Sequence, residues 1–307
     1  MSRAVIQDSF GGPEVLEVRD VAEPHAGPGE VRVRVSAAGL NPVDWKIAAS
    51  PMAAERFGIA LPAGFGNDYA GVVDEAGDGV TGFAAGDRVY GGARAAAVAD
   101  YAVVRPGKDP LLHTPDGVDD ITASTLAIAG GTADAVVSVI GVHAGDTVLI
   151  GGAGGGVGVF AVQLARRAGA RVIGTGSEAT FDFLRELGAE PVRYGDGLAD
   201  RVRALAPQGV TAAADLVGTE TAQAALELGV APGRIATIAA SSAPDGVRAT
   251  GGRDATPGAL DRIAAAIAAR EFTVPIAATF PIEQTRAAVE LQRDGHVHGK
   301  VVIVLGG

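Results

Sequence analysis

The chain has 307 residues, 48 % of them apolar, 45 glycines and a formal net charge of −11. That length suggests two domains with a sizeable core, and the apolar fraction excludes a disordered protein. The acidic balance offers no basic face for nucleic acid, and no apolar run reaches the roughly 18 residues of a membrane span. Cysteine is absent, which excludes disulfides, thiolate zinc sites and a cysteine nucleophile.

The N-terminus, Met1 to Asp8, reaches an acid too soon for a secretory signal, so a cytoplasmic protein is expected. The first third reads as β structure. Glu30 to Val35 alternates polar and apolar residues, the period of a half-buried strand. Residues 69–77, 87–91 and 101–104 are further short strands punctuated by glycine, and Pro/Gly segments separate them. A compact, partly barrel-like β domain is the expectation.

After Thr114-Pro115-Asp116-Gly117 the texture changes. Ile121 to Ile140 is alanine-rich and helical in character. Strands at 147–150, 171–174, 212–217 and 234–239 then alternate with helices at 157–168, 179–187, 198–205 and 219–229. Such alternation predicts a doubly wound parallel sheet, an α/β class. A helix at 257–270, the segment Thr279-Phe280-Pro281-Ile282, a helix at 283–293 and a final strand at 300–305 complete the chain.

One stretch carries chemistry by itself. The β-branched run Thr147-Val148-Leu149-Ile150 enters Gly151-Gly152-Ala153-Gly154-Gly155-Gly156-Val157-Gly158, and an apolar helical segment leaves it. Strand, glycine turn and helix in that order suit a dinucleotide pyrophosphate. Without Cβ atoms the backbone approaches the phosphates, and the free N–H groups of the helix start face the anionic oxygens. Ala153, Gly155 and Gly158 take the three fingerprint positions.

With Gly39-Leu40-Asn41-Pro42-Val43-Asp44, Gly86-Asp87-Arg88-Val89 and the terminal Gly299-Lys300, this turn resembles the medium-chain dehydrogenase/reductase superfamily. Within it the pattern is most similar to the zinc-free quinone oxidoreductase (zeta-crystallin-like) branch, over essentially the whole chain. The resemblance implies a GroES-like catalytic domain over 1–118, completed by 272–307, with a Rossmann domain over 119–271. It also implies NADPH, a homodimer, and reduction of quinones or α,β-unsaturated carbonyls as small-molecule substrates. Zinc-dependent relatives carry cysteine where this chain has Asn41 and His-Glu where it has Asn67-Asp68, so no zinc is expected. His296-Val297-His298 is the one close histidine pair. It lacks a third ligand, and a surface location is expected for it.

An NAD enzyme places an acid at the end of the second strand of this fold, where it bonds the ribose and repels a 2′-phosphate. Here Gly176-Ser177 stands there, leaving room and a hydroxyl. Tyr194 matches a tyrosine that lies against that phosphate in NADPH-using relatives, or is a packed loop aromatic, and Arg193 adds charge. Glu178 opposes this reading if it points inward, and is otherwise a solvated acid at a helix start. The resemblance further assigns to the cofactor the turn Gly154-Gly155-Gly156-Val157-Gly158, together with Thr132, Val217, Ile238-Ala239-Ala240 and Asn41. Lys300 is either a cofactor contact or a solvated lysine at a strand start. Asn41 and the proton-donor candidates Tyr90, Lys46 and Asp44 form the expected catalytic set, with Tyr69 read as core.

No nucleophile elbow surrounds Ser241-Ser242. Hydride transfer needs none, since the cofactor carries the chemistry. Two other readings stay open. One is a specialised-metabolite tailoring enzyme, and residues 48–56, expected to line its pocket, hold no feature assignable to a ligand. The other is a non-catalytic NADPH-binding sensor.

Overall fold

The computed structural model describes every residue except 240–242, 296 and 307. The chain divides into two compact units, Met1–Ile128 with Asp261–Gly307, and Ala129–Leu260. Both divisions fall inside the 119–271 span read from the sequence. One reason is that the segment after 118 is tied to the first unit. A Cβ on Gly39 would lie 2.2 Å from the Ser124 carbonyl oxygen, and the Ile128 N–H donates to Asp68 at 3.1 Å.

The first unit starts with β1 (Ser2–Gln7), β2 (Glu17–Val21), β3 (Val31–Leu40), α1 (Pro42–Ala49) and α2 (Pro51–Arg56). It continues through β4 (Ala63–Gly64), β5 (Asp68–Ala76), β6 (Arg88–Gly92), β7 (Tyr101–Val104), β8 (Leu111–His113) and α3 (Asp120–Ala123). The next helix, α4 (Leu126–Val139), runs into the second unit. The strand read at 30–35 extends to Leu40, and β3 pairs with β5 along most of its length. Inward residues Val31, Val33, Val35, Ala38 and Leu40 join Val5, Phe65, Tyr69, Val89 and Val301 in one core. The alternation seen in sequence is therefore the buried face of a strand.

The second unit holds β9 (Thr147–Gly151), α5 (Gly158–Arg167), β10 (Arg171–Gly176), α6 (Phe181–Glu186) and β11 (Glu190–Arg193). It goes on with α7 (Leu198–Leu205), β12 (Ala212–Asp215), α8 (Glu220–Glu227), β13 (Ile235–Thr237) and β14 (Arg248–Ala249). These strands form a six-stranded sheet in the order β11-β10-β9-β12-β13-β14, all neighbours parallel. That order reverses between β9 and β12, the switch point where open α/β sheets bind ligands beyond the strand ends. Leu149, Ile173 and Ala213 of the sheet pack with Leu198 and Val202 of α7 and Ala222 and Ala225 of α8.

The chain then re-enters the first unit with α9 (Ala259–Ala268), β15 (Ile276–Pro281), α10 (Thr285–Arg293) and β16 (Lys300–Val304). β16 lies between β15, to which it is parallel, and β3, to which it is antiparallel. Among the described residues no helix is long and apolar enough to cross a membrane.

Candidate functional site

In the second unit the glycines of the turn have distinct duties. Gly152 adopts φ +69°, a conformation that favours glycine. A Cβ on Gly158 would lie 2.2 Å from the Gly152 carbonyl oxygen and 2.5 Å from that of Ala153, so only glycine lets α5 start this close to the strand. The Ala153 methyl is buried and fills the space over Gly174. Gly155 differs, because its Cβ would meet only the Gly152 oxygen, at 3.3 Å. Residues 155–157 lie at the surface at the start of the ten-residue α5, whose N-terminal dipole favours an anion. This is a cradle that a side chain would fill, and it fits a pyrophosphate.

Ser177 and Tyr194 stand at the ends of neighbouring strands. Gly176 pairs with Arg193, and the Tyr194 N–H donates to the Gly176 carbonyl at 3.4 Å. Ser177 Oγ lies 2.8 Å from Thr180 Oγ1. Tyr194 is 51 % exposed, which sets aside the packed-aromatic reading. Glu178 is exposed in the short helical turn that follows Ser177, the solvated placement of the two considered.

Across the switch point, Val217 is 71 % exposed and its side chain borders Gly152. The loop carrying it hangs on a residue that sequence reasoning missed. Asp215 is 1 % exposed, and its carboxylate accepts from the N–H groups of Val217, Gly218, Thr221 and Ala222 at 2.8–3.1 Å. Its only sequence signal is an acid ending an apolar strand just before a helix. Ile238 and Ala239 follow β13, with the Ile238 N–H donating to the Asp215 carbonyl at 3.1 Å. Thr132 is 8 % exposed on α4, beside Gly252. Ala240, Ser241, Ser242 and His296 lie outside the described residues.

In the first unit β3, α1, β5 and β16 converge on a buried polar cluster. Asn41, Asp44, Asp68 and Lys300 are each no more than 3 % exposed. Lys300 Nζ donates to Asn41 Oδ1 at 2.6 Å and to the Leu40 carbonyl at 2.9 Å, so the solvated-lysine reading does not hold. Asn41 Nδ2 donates to Asp68 Oδ2 at 2.9 Å and to the Gly39 carbonyl at 3.3 Å. The Asn41 N–H donates to Asp44 Oδ2 at 2.7 Å, and Asn67 Nδ2 donates to Asp44 Oδ1. Both hydrogens of the Asn41 amide are thus committed, and contact with a nicotinamide would require one of these bonds to be given up.

Burial raises the Asp44 carboxyl to about 6, against the pull of its Asn67 and Asn41 donors and of Lys300. Burial likewise raises Asp68 to about 7, with Lys300 pulling it down. The Lys300 ammonium is itself shifted down by burial, with Asp68 and Asp44 opposing.

The other proton-donor candidates are placed differently. Tyr90 is wholly buried in β6 and its hydroxyl has no hydrogen-bond partner among the described residues. Burial pushes its phenol up. Asp44, the other buried candidate, differs from it in that both its carboxylate oxygens accept hydrogen bonds. Lys46 is exposed on α1, with Nζ 5.5 Å from the centre of the Trp45 ring. Asp44 lines a small cavity with Gln7, Ile47, Ile59, Phe65 and Asn67. Tyr69 is core, as expected, its hydroxyl 3.5 Å from the Pro110 carbonyl.

Residues 27–139 match the alcohol dehydrogenase GroES-like domain family, and residues 156–252 match the zinc-binding dehydrogenase family. A quinone oxidoreductase of Pseudomonas aeruginosa is 34 % identical over 250 residues, covering 80 % of this chain and 75 % of the relative. Among solved structures, an NAD-dependent alcohol dehydrogenase superposes with a TM-score of 0.86 at 32 % identity, over 99 % of this chain and 100 % of that one. A mycobacterial protein complexed with NADPH gives 0.85 at 26 % identity, also over 99 % of this chain and 100 % of that one. The chain belongs to the medium-chain dehydrogenase/reductase superfamily, in its quinone oxidoreductase branch. It is an oxidoreductase of that fold.

Proposed function

We propose that the chain is a zinc-independent, NADPH-dependent reductase of quinones or α,β-unsaturated carbonyls. The observation that carries this reading is the pairing of an open glycine cradle with a second strand that ends in Gly176-Ser177 rather than an acid. Gly155 to Val157 and the start of α5 would hold the pyrophosphate. Ser177 and the half-exposed Tyr194 would flank the 2′-phosphate, and Asp215 would fix the loop bearing Val217. When bound, the reduced nicotinamide supplies a hydride.

The donor set of the first unit supports zinc independence. Asn41 and Asn67 are neutral amides, and the cation among them is the Lys300 ammonium, already committed to Asn41 and Leu40. An isolated ketone builds a localised alkoxide that a Lewis acid would stabilise, whereas an enone or quinone spreads the charge over several atoms. The proton that completes reduction comes from water or from Asp44, whose raised carboxyl keeps part of its proton near neutral pH. Asn41 serves by keeping Asp68 and Asp44 in place, and Lys46, solvated on α1, stays a secondary donor. A homodimer is expected, and β14 offers the exposed edge of the parallel sheet, so light scattering on the full chain tests assembly.

The decisive experiment is a paired assay. NADPH consumption is followed with small quinones and enones, and NADP⁺ reduction with primary and secondary alcohols. Turnover of the conjugated acceptors alone is the expected result. Alcohol oxidation without quinone or enone activity would overturn it.

A further inference from the structure

We infer that Arg201 is a positioning residue for cofactor choice, setting the preference for a 2′-phosphate by holding the loop that presents Tyr194. The inference rests on the proposed role of Tyr194 at the NADPH ribose.

Arg201 lies in the first turn of α7, four residues after Gly197, and its N–H donates to the Gly197 carbonyl. Its guanidinium reaches back over the loop between β11 and α7. Nε donates to the Arg193 carbonyl at 3.0 Å, and Nη1 to that of Asp196 at 2.7 Å. Nη2 donates to the carbonyls of Tyr194 at 3.2 Å and Gly195 at 2.8 Å. Four consecutive carbonyls therefore converge on one cation. Five donors in a rigid plane can do this, and no other side chain carries them.

The loop needs such a clamp. Gly195 and Gly197 adopt φ of +93° and +76°, and glycine carries the largest conformational entropy to be lost on ordering. At its other side the loop is held by the Tyr194 N–H on the Gly176 carbonyl and by the Gly195 N–H on Glu220 Oε1. Together these bonds keep Tyr194 next to Ser177 while its side chain stays half exposed. Without the guanidinium, the carbonyls of 193–196 lose their shared partner and Tyr194 samples other positions. The proposed pyrophosphate cradle lies at Gly155 to Val157 and the start of α5, outside this loop. A cofactor without the 2′-phosphate should therefore be indifferent to the change.

The test is Arg201→Lys in the full chain, alone and combined with Tyr194→Ala, with NADPH and NADH dissociation constants measured by calorimetry. A single ammonium cannot span four carbonyls. The lysine variant should bind NADPH about tenfold more weakly and NADH within about twofold of wild type. In the Tyr194→Ala background it should cause no further loss, because it acts through that side chain. Equal weakening of both cofactors, additive losses in the double variant, or an unchanged NADPH constant would each overturn the inference. Arg201→Gln replaces the lysine variant if circular dichroism shows the latter unfolded. A wild-type chain that prefers NADH would instead refute the NADPH reading itself, before any variant is made.

Discussion

Lys300 and Asn41 stand 259 positions apart in the chain and are joined by a 2.6 Å hydrogen bond, the ammonium donating to the amide oxygen. That bond orients the Asn41 amide, so its Nδ2 hydrogens face Asp68 and the Gly39 carbonyl. Replacing Lys300 by Met leaves two buried carboxylates without their cation. It also takes the donor from Asn41 Oδ1 and the Leu40 carbonyl, and stability should fall by about 1–3 kcal/mol for each buried acceptor left unpaired. Urea unfolding of both proteins measures it, and a loss near zero would mean that the cluster carries no net charge coupling.

The same cluster sets a pH dependence. Burial holds Asp68 at about 7 and Asp44 at about 6, above the ordinary carboxylate range. The folded chain therefore keeps protons that the unfolded chain releases near pH 4. Stability tied to those protons is complete below about pH 4 and is lost as pH rises through 6 and 7. Asp68→Asn cannot titrate, so its Tm should decline less steeply than that of wild type between about pH 4 and pH 8. Parallel Tm curves would show that Asp68 ionises normally.

The glycine turn separates binding from folding. Gly155→Val meets only the Gly152 oxygen, so the chain should fold while NADPH affinity falls at least about a hundredfold through intrusion on the phosphates. Gly158→Val places Cβ inside contact distance of two backbone carbonyls and should lower Tm outright. Calorimetric titration with NADPH, beside thermal unfolding, distinguishes them. Full affinity in the Gly155 variant would remove the turn from the phosphate site.

Cofactor preference turns on Ser177. Asp at that position restores the acid that bonds a ribose hydroxyl and repels a 2′-phosphate. Ser177→Asp should weaken NADPH about tenfold or more and leave NADH unchanged or tighter. Dissociation constants for both cofactors in both proteins decide the point. A wild-type preference for NADH would give the ribose to Glu178.

What the sequence makes legible is what is contiguous in it. The glycine turn and its flanking strand and helix are one local run, and the regular spacing of later strands and helices is a periodic signal. The cluster around Lys300 joins the end of β3, α1, β5 and β16, so a solitary lysine near the chain's end reads equally well as solvated. Tyr90 looks like a proton donor in a list of hydroxyls, and only the packing of β6 shows it enclosed. Arg201 and Asp215 act on backbone groups of their neighbours, a role with no periodicity and no motif. β1 and β2 escape notice because their pattern is broken by charged residues, and β14 has two residues, too few for any pattern.

The position of β16 has a consequence for the order in which the molecule can be made. It lies inside the seven-stranded sheet, between β15 and β3, and its Lys300 bonds a carbonyl 260 residues upstream. During synthesis the N-terminal portion emerges first, yet it lacks an inner strand and the counter-charge to Asp44 and Asp68. The second unit is one uninterrupted segment and has all its strands before that counter-charge exists. The unit translated first is thus the last to be finished, and until β16 leaves the ribosome the edge of β3 is an open template for a wrong partner.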